Sequence, residues 1–216
     1  MIVAVLTGDL IDSTTAGAAA TDLAMMVLAD TAHEISLWPG AGPTRFTRFR
    51  GDGWQLLVTP QKYALRAALT LAARLRATPD APPTRIAIGL GRAESIGGTD
   101  LSDAHGPAFA ASGHALEAMP RGARLTLGGT IGRDPGRLAS ALIDLLDERI
   151  GRWTPEQAEA AAFALDPDDP TQAEIAGQLG ISSQAVSYRL GGAGMAAIRR
   201  ALQAWEAEAD EQEKAG

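Results

Sequence analysis

Two aspartates far apart in the chain could together bind a divalent cation. Asp9 follows the apolar, β-branched run IVAVL and is predicted to lie where the first strand ends. Asp52 lies in the turn Gly51-Asp52-Gly53, between the strand-like runs TRFTRFR and WQLLVT, and an Asp-Gly in this position predicts a hairpin. Carboxylate oxygens suit Mg²⁺ or Mn²⁺, which complete their octahedra with water and substrate phosphates. The alternative interpretation is that both are ordinary turn residues.

The residues that follow Asp9 could hold an anion beside such a cation. The stretch Leu10–Thr15 leads into a predicted helix. The N-terminus of a helix presents free backbone N–H groups and the positive end of the helix dipole, which favour a phosphate group. The candidate nucleotide-binding residues of this stretch are Leu10, Ile11, Ser13 and Thr14.

Hydrophobic periodicity predicts the elements that would position these residues. The predicted strands are the one that starts with IVAVL at residue 2 and ends near Gly8 and Asp9, the two hairpin strands around Asp52, 84–91 and 123–127. The predicted helices of this part are Thr21–Trp38, Tyr63–Ala77 and Gly106–Ala118. The order is β-α-β-β-α-β with a helix after the hairpin, which is typical of a ferredoxin-like α+β sandwich. In that fold the hairpin pairs next to the first strand, so Asp9 and Asp52 are expected to converge.

After Gly128 the pattern becomes entirely helical. A helix is predicted over Leu138–Ile150, and a second one opens at Thr154, where Pro155 and Gln157 complete a capping box. We therefore predict three parts, listed here by residue number: a nucleotide-binding domain over 1–130, a helical linker over 131–153, and an all-α domain with an acidic tail over 154–216.

The segment PTQAEIAGQLGISSQAVSYRL has the layout of a helix-turn-helix. Thr171 is predicted to cap the first helix, Gly180 ends it, and Ser182 opens the second. The residues that would face inward are Ile175, Ala176, Leu179, Val186 and Leu190. The residues expected to contact DNA are Ser182, Ser183, Gln184, Ser187, Tyr188 and Arg189. The segment resembles sigma region 4-like bacterial DNA-binding modules. The alternative is an alanine-rich helical bundle used for dimerisation.

Composition excludes several classes of protein. The 216 residues are 46% hydrophobic and 21% charged, and no run approaches the ~20 uncharged apolar residues that a membrane span needs. The absence of cysteine excludes disulfides, thiolate metal sites and cysteine nucleophiles. No basic leader precedes the first apolar run, so we expect a cytoplasmic location and no contact with a membrane.

The net charge of −7 is concentrated toward the C-terminus. Residues 1–150 carry 14 basic and 15 acidic side chains, whereas residues 151–216 carry 5 and 11. Within the second part, however, Ser182–Trp205 contains Arg189, Arg199 and Arg200 and no acidic residue. A local basic surface could therefore contact phosphate, although three arginines are a modest electrostatic footprint.

Four segments in residues 1–128 resemble, in order, segments of the class III nucleotidyl cyclases. They are VLTGDLIDST, RFRGDGWQLLV, TRIAIGLGRAESIGG and SDAHGPAFAASGHALE. The resemblance implies metal-binding roles for Asp9 and Asp52, and it puts Arg48 and Asp103 in the two base-reading positions. Joined to the helix-turn-helix, this domain resembles the SatD-like bacterial proteins.

The chain departs from the cyclases at the positions that stabilise the triphosphate during transfer. Where active members carry an asparagine and an arginine, this chain has Ala110 and His114. Alanine cannot form the hydrogen bond, and imidazole is a poor substitute for a bidentate guanidinium, so losing such a clamp would cost about 10³-fold in rate. We assign no catalytic residue. In an active enzyme, the charge on the triphosphate would have to be stabilised by His114 or by an arginine at 92, 121 or 124.

These observations favour a homodimeric DNA-binding transcriptional regulator whose N-terminal domain senses a nucleotide together with Mg²⁺ or Mn²⁺. Dimerisation is expected because cyclase-like sites form between subunits and helix-turn-helix modules usually read paired half-sites. The alternatives are an active nucleotidyl cyclase and a protein-interaction adaptor that binds neither ligand nor DNA.

Overall fold

The computed structural model describes residues 1–42, 44–49, 51–129 and 136–215, with side chains through Glu211. Five strands are present in these ranges: β1 (Ile2–Leu10), β2 (Arg45–Arg48), β3 (Gly53–Val58), β4 (Thr84–Arg92) and β5 (Leu125–Gly128). The helices of the first part are α1 (Ser13–Ala16), α2 (Ala18–Ser36), α3 (Ala64–Ala77) and α4 (Pro107–Glu117). Those of the second part are α5 (Arg137–Gly151), α6 (Pro155–Ala164), α7 (Gln172–Leu179), α8 (Ser183–Ala193) and α9 (Met195–Ala215).

The strands form one mixed sheet in the order β2-β3-β1-β4-β5. The central strand β1 is antiparallel to both β3 and β4, whereas β4 and β5 run parallel. Because β1 is paired along both edges, its register fixes what lies beside each of its residues. Asp9 is opposite Gly53 on one side and Arg85 on the other.

Helices cover both faces of the sheet. On one face Val3, Val5 and Leu57 pack with Ala108 and Phe109 of α4 in a small buried cluster. The opposite face packs against α2 and α3 in the larger core.

A close approach between α4 and the sheet depends on glycine. A Cβ atom at Gly89 would lie 2.2 Å from the carbonyl oxygen of Ala108, and one at Gly128 would lie 2.4 Å from that of Ala111. These two glycines therefore let the α4 backbone rest directly on β4 and β5.

The C-terminal helices share the larger core with the sheet. α6 packs along α3, and α5 packs on β5. Buried residues of one continuous cluster range from Leu6 and Leu69 to Ala161, Val186 and Leu202. No helix in the described ranges has the length and apolar composition to cross a membrane.

The predicted α+β class, with a C-terminal helical region, is confirmed by this element order. The first strand, which was predicted to end near Gly8 and Asp9, ends at Leu10 and so contains Asp9. The last strand begins at Leu125 rather than at residue 123. The predicted boundary between residues 130 and 131 lies outside the described residues, and the division into domains stays a prediction.

Candidate functional site

The predicted metal-binding aspartate of β1 is paired with an arginine. Arg85 Nε donates to Asp9 Oδ1 at 2.7 Å, and Arg85 Nη2 donates to Asp9 Oδ2. The Asp9 side chain is 27% exposed and that of Arg85 is 37% exposed, so the pair lies at the surface of the sheet. A bidentate guanidinium satisfies both oxygens of a carboxylate, which makes this the stronger kind of ion pair.

The backbone around Asp9 is fixed by buried groups. Thr84 Oγ1 donates to the Asp9 carbonyl oxygen at 2.8 Å, and it accepts a hydrogen bond of 2.9 Å from Trp54 Nε1. Trp54 is fully buried and Thr84 nearly so. This chain of contacts holds the end of β1 between β3 and β4, which orients the Asp9 carboxylate toward Arg85.

The second aspartate lies beside this pair. The hairpin returns Asp52 to the end of β1, where its carbonyl oxygen accepts from Leu10 N at 3.2 Å. Its carboxylate accepts a hydrogen bond from Ser13 Oγ. The pKa of Arg85 is raised above its ordinary value, mainly by the hydrogen bond to Asp9 and further by the negative charges of Asp9 and Asp52. Asp52 therefore lies near the end of β1, and its negative charge acts on the guanidinium that binds Asp9.

This arrangement does not offer a free metal site. Within the described part of the chain, no group of three or more His, Asp or Glu side chains is placed to hold an ion. Both oxygens of Asp9 are already engaged by Arg85. A divalent cation could bind Asp9 and Asp52 together only if the Arg85 guanidinium moved away from Asp9.

The predicted phosphate-binding stretch differs from a simple helix N-terminus. Asp12 has a left-handed backbone with φ 54°, and it precedes the four-residue helix α1. Leu10 and Ile11 already donate their backbone N–H groups to the carbonyl oxygens of Asp52 and Pro83. Of the predicted residues, Ser13 is half-buried and bonded to Asp52, and Thr14 is exposed.

The two predicted base-reading residues do not come together. Arg48 donates to Asp22 on α2 at 2.7 Å and to the Gly51 carbonyl oxygen at 3.0 Å. Asp103 is exposed in the loop that precedes α4. That loop is held on the other face of the sheet, where Leu101 N donates to Thr47 Oγ1 at 2.8 Å. Consecutive residues of a strand point to opposite faces, so Arg48 and Thr47 serve different layers.

The two residues that the sequence analysis compared with a triphosphate clamp both lie on α4. Ala110 is half-buried on α4, and His114 is exposed near the end of that helix. Arg85 is the cationic residue next to the two carboxylates, and the sequence interpretation missed it. The available signal was the strand TRIAIGLG: once it is aligned antiparallel to β1, its second residue lies opposite Asp9.

The helix-turn-helix prediction agrees with the local structure of α7 and α8. Thr171 Oγ1 accepts from Glu174 N at 3.3 Å, and Glu174 Oε2 accepts from Thr171 N at 2.7 Å, which completes a capping box. Gly180 ends α7 with a left-handed backbone, and Ser182 Oγ caps α8 by accepting from Ala185 N. The hydroxyl of Ser182 is therefore used in the cap.

The two faces of α8 differ sharply. Val186, Leu190 and Ala193 are buried against the rest of the helical region. The predicted DNA-contacting residues Ser183, Gln184 and Ser187 are exposed, and the large side chain of Tyr188 is 84% exposed.

The basic residues of this region are partly neutralised within the chain. Arg189 Nη1 lies 2.7 Å from Glu159 Oε2, and Arg199 Nη2 lies 2.9 Å from Asp169 Oδ1. Arg200 is exposed. A surface that contacts DNA here would therefore carry less positive charge than the sequence indicates.

Comparison with solved structures shows a distant similarity in fold. A solved structure of the active GGEEF domain of a diguanylate cyclase from Vibrio cholerae matches with a TM-score of 0.43 and 15% identity, covering 59% of this chain and 83% of that one. No protein-family model matches the chain, and no curated protein is significantly similar to it in sequence.

Proposed function

We propose that this chain is a homodimeric DNA-binding transcriptional regulator whose α7–α8 pair contacts DNA. The observation that carries the proposal is the outer face of α8. It combines three exposed hydrogen-bonding side chains with the exposed Tyr188, on a helix whose inner face is fully packed. Such a helix can enter a major groove without losing its core contacts.

The proposed dimer is supported by an apolar stripe on α5. Leu138 and Leu145 are 88% and 69% exposed, and the exposed Ala141 and half-buried Leu142 lie between them on the same helix face. We propose that a second copy of the chain covers this stripe in antiparallel orientation. Leu138 of each copy would then lie opposite Leu145 of the other, and Arg137 would approach the opposing Asp144.

The dimer is tested by sedimentation and by cross-linking. Leu138→Glu with Leu145→Glu should give a monomer, whereas Met26→Glu, which changes another exposed apolar side chain, should not. The chain has no cysteine, so single-cysteine variants are clean probes. A mixture of Leu138→Cys and Leu145→Cys should cross-link between the two variants. Cross-links only between identical variants would contradict the antiparallel arrangement.

DNA binding is tested with fragments from upstream of the gene that encodes the chain. Gln184→Ala and Ser187→Ala should each weaken specific binding by about 5- to 150-fold, the range for loss of a base contact. Ser102→Ala, an exposed change on a distant loop, should leave it unaltered. The absence of any mobility shift at low salt would refute the regulator and favour the adaptor.

A nucleotide-binding role for the sheet is supported by Arg85. This guanidinium binds Asp9 at a partly exposed position and is influenced by the charge of Asp52, and a triphosphate could compete with Asp9 for it. In this proposal Asp9 would become free for Mg²⁺ or Mn²⁺ only in the presence of the nucleotide. Binding of a triphosphate that needs neither Arg85 nor Asp9 would contradict the assignment.

Cyclase activity is the second candidate for the same residues. It predicts a cyclic nucleotide that forms with Mn²⁺ and disappears in Asp9→Asn. If none of the four triphosphates gives such a product, the sheet domain is a binding domain only.

A further inference from the structure

A cleft lies where the sheet part of the molecule meets the helix-turn-helix. Its volume is about 480 Å³. It is lined by residues from the end of α2, from α3 and α6, from the loop between α6 and α7, and from α7 itself. This volume is in the range of pockets that bind small organic molecules. Neither the proposed DNA surface on α8 nor the Asp9 cluster contributes to it.

The walls of the cleft are largely aromatic and aliphatic. Trp38 and Phe163 line it from the two parts of the molecule, and Ile175 of α7 closes one side. Trp38 is fixed by an edge-to-face contact with Tyr63, with ring centroids 5.5 Å apart. The aromatic walls are therefore preformed, which reduces the ordering cost of binding.

The charged groups of the cleft are mostly acidic. The basic side chain that lines it, Arg74, is engaged through Nη2, which donates to Glu34 at 2.8 Å, and through its guanidinium, which lies 4.8 Å from the centre of the Phe163 ring; its buried Nε has no hydrogen-bond partner among the described residues. Asp166 and Asp168 also line the cleft. Across the described residues, neither of these aspartates pairs with a basic side chain.

We propose that this cleft binds a small hydrophobic organic cation, an ammonium group attached to an aromatic or aliphatic body. The apolar body would occupy the space between Trp38, Phe163 and Ile175. The ammonium group would lie toward Asp166 and Asp168, where it supplies the positive charge that the chain does not. An anion of the same shape would be repelled by these carboxylates.

The cleft also joins the two parts of the proposed regulator. α2 and α3 belong to the sheet part, whereas Glu174, Ile175 and Gln178 belong to α7. A ligand that contacts both sides can change DNA affinity if it binds one arrangement of α7 better than another. This consequence rests on the proposed function, whereas the binding itself does not.

Binding is tested on the full chain without DNA, using three molecules of matched shape. We expect phenethylammonium to bind with a dissociation constant of about 1 mM, and 2-phenylethanol and 3-phenylpropionate to bind much more weakly. Calorimetry measures the affinity, and quenching of Trp38 emission reports the location. Trp38→Phe should abolish the fluorescence change of the cleft while binding remains detectable by calorimetry.

A charge variant with a matched control tests the role of the carboxylates. Asp168→Asn should weaken binding of phenethylammonium about fivefold, because one nearby negative charge is lost. Asp80→Asn, an equivalent change in another exposed turn, should leave the affinity unaltered. The proposal is overturned if the cation does not bind at about 20 mM, if the anion binds equally well, or if Asp168→Asn has no effect.

Discussion

The ion pair between Arg66 and Glu206 joins the first and last parts of the chain, and its removal should destabilise the whole molecule. Arg66 lies on α3 and Glu206 on α9. Nε and Nη2 of Arg66 lie 2.6 Å and 3.1 Å from the two oxygens of Glu206, and Nη1 donates to the Leu165 carbonyl oxygen at 2.9 Å. The side chains are 10% and 19% exposed.

The cost of Glu206→Ala follows from the charge that it leaves behind. Removing one partner of a buried pair typically costs about 3–5 kcal/mol. Arg66 keeps the hydrogen bond to Leu165, and Glu206 is not fully buried, so we expect the lower end, about 3 kcal/mol. For a chain of this length that corresponds to a fall in Tm of about 6–12 °C. Replacing both partners, in Arg66→Met with Glu206→Leu, should recover most of the loss because no unpaired charge remains.

Urea unfolding monitored by circular dichroism and tryptophan fluorescence measures these differences. Glu148→Ala is the matched control, because Glu148 pairs with Arg152 on an exposed helix surface and its loss should cost under about 1 kcal/mol. We also expect the sheet and the helical region to unfold in a single transition, since they share one core cluster. The reasoning fails if Glu206→Ala costs no more than Glu148→Ala.

Three further changes test the packing and the caps. Burial raises the pKa of Asp147 above its ordinary value of 3.8, and the hydrogen bond from Arg124 N opposes this shift. The contribution of Asp147 to the free energy of unfolding should therefore increase as the pH falls through the raised pKa, and it should level off below pH 3.8. Asp147→Asn should remove this contribution, which urea unfolding from neutral to acidic pH would reveal. Gly89→Ala should cost about 2–3 kcal/mol because its Cβ would meet the α4 backbone, whereas Gly113→Ala, in open space on α4, should be neutral or stabilising in thermal unfolding. Thr171→Ala should cost about 1 kcal/mol through loss of the α7 cap, and an unchanged Tm would contradict the capping geometry.

Much of the fold could be predicted from local sequence signals. The hairpin around Asp52 was expected from its Asp-Gly turn, and α3 was expected from the apolar run that it buries. The caps at Thr154, Thr171 and Ser182 were predicted one by one, because a capping side chain and the N–H groups it satisfies lie within a few residues of each other. Signals of this kind do not depend on the rest of the chain.

The candidate site was less predictable because it depends on register and on strand faces. That Asp9 and Asp52 lie near each other followed from topology, but the pairing of Asp9 with Arg85 requires the alignment of β1 with β4. Arg48 and Asp103 occupy the two base-reading positions of the sequence comparison, but they lie on opposite faces of the sheet. A sequence motif does not specify the face on which a residue lies. The partner of Arg189 comes from α6 and that of Arg199 from the loop before α7, so the charge pattern of the sequence could not predict that these arginines are paired.

The arginines of α3 show why a count of basic residues does not predict how many are available to bind a phosphate group. Arg66 binds Glu206 and the Leu165 carbonyl oxygen, Arg74 binds Glu34 beside Phe163, and Arg76 donates to the Trp153 carbonyl oxygen at 2.8 Å. Arg66 and Arg76 therefore attach α3 to the part of the chain that follows the sheet, whereas Arg74 pairs with α2 and contacts the Phe163 ring of α6. In the proposed function, DNA binding would therefore depend on the outer face of α8 without phosphate contacts from these three arginines. Its affinity should accordingly fall less steeply with salt than the content of 19 basic residues suggests, with a slope of about −0.9 for each phosphate that is contacted.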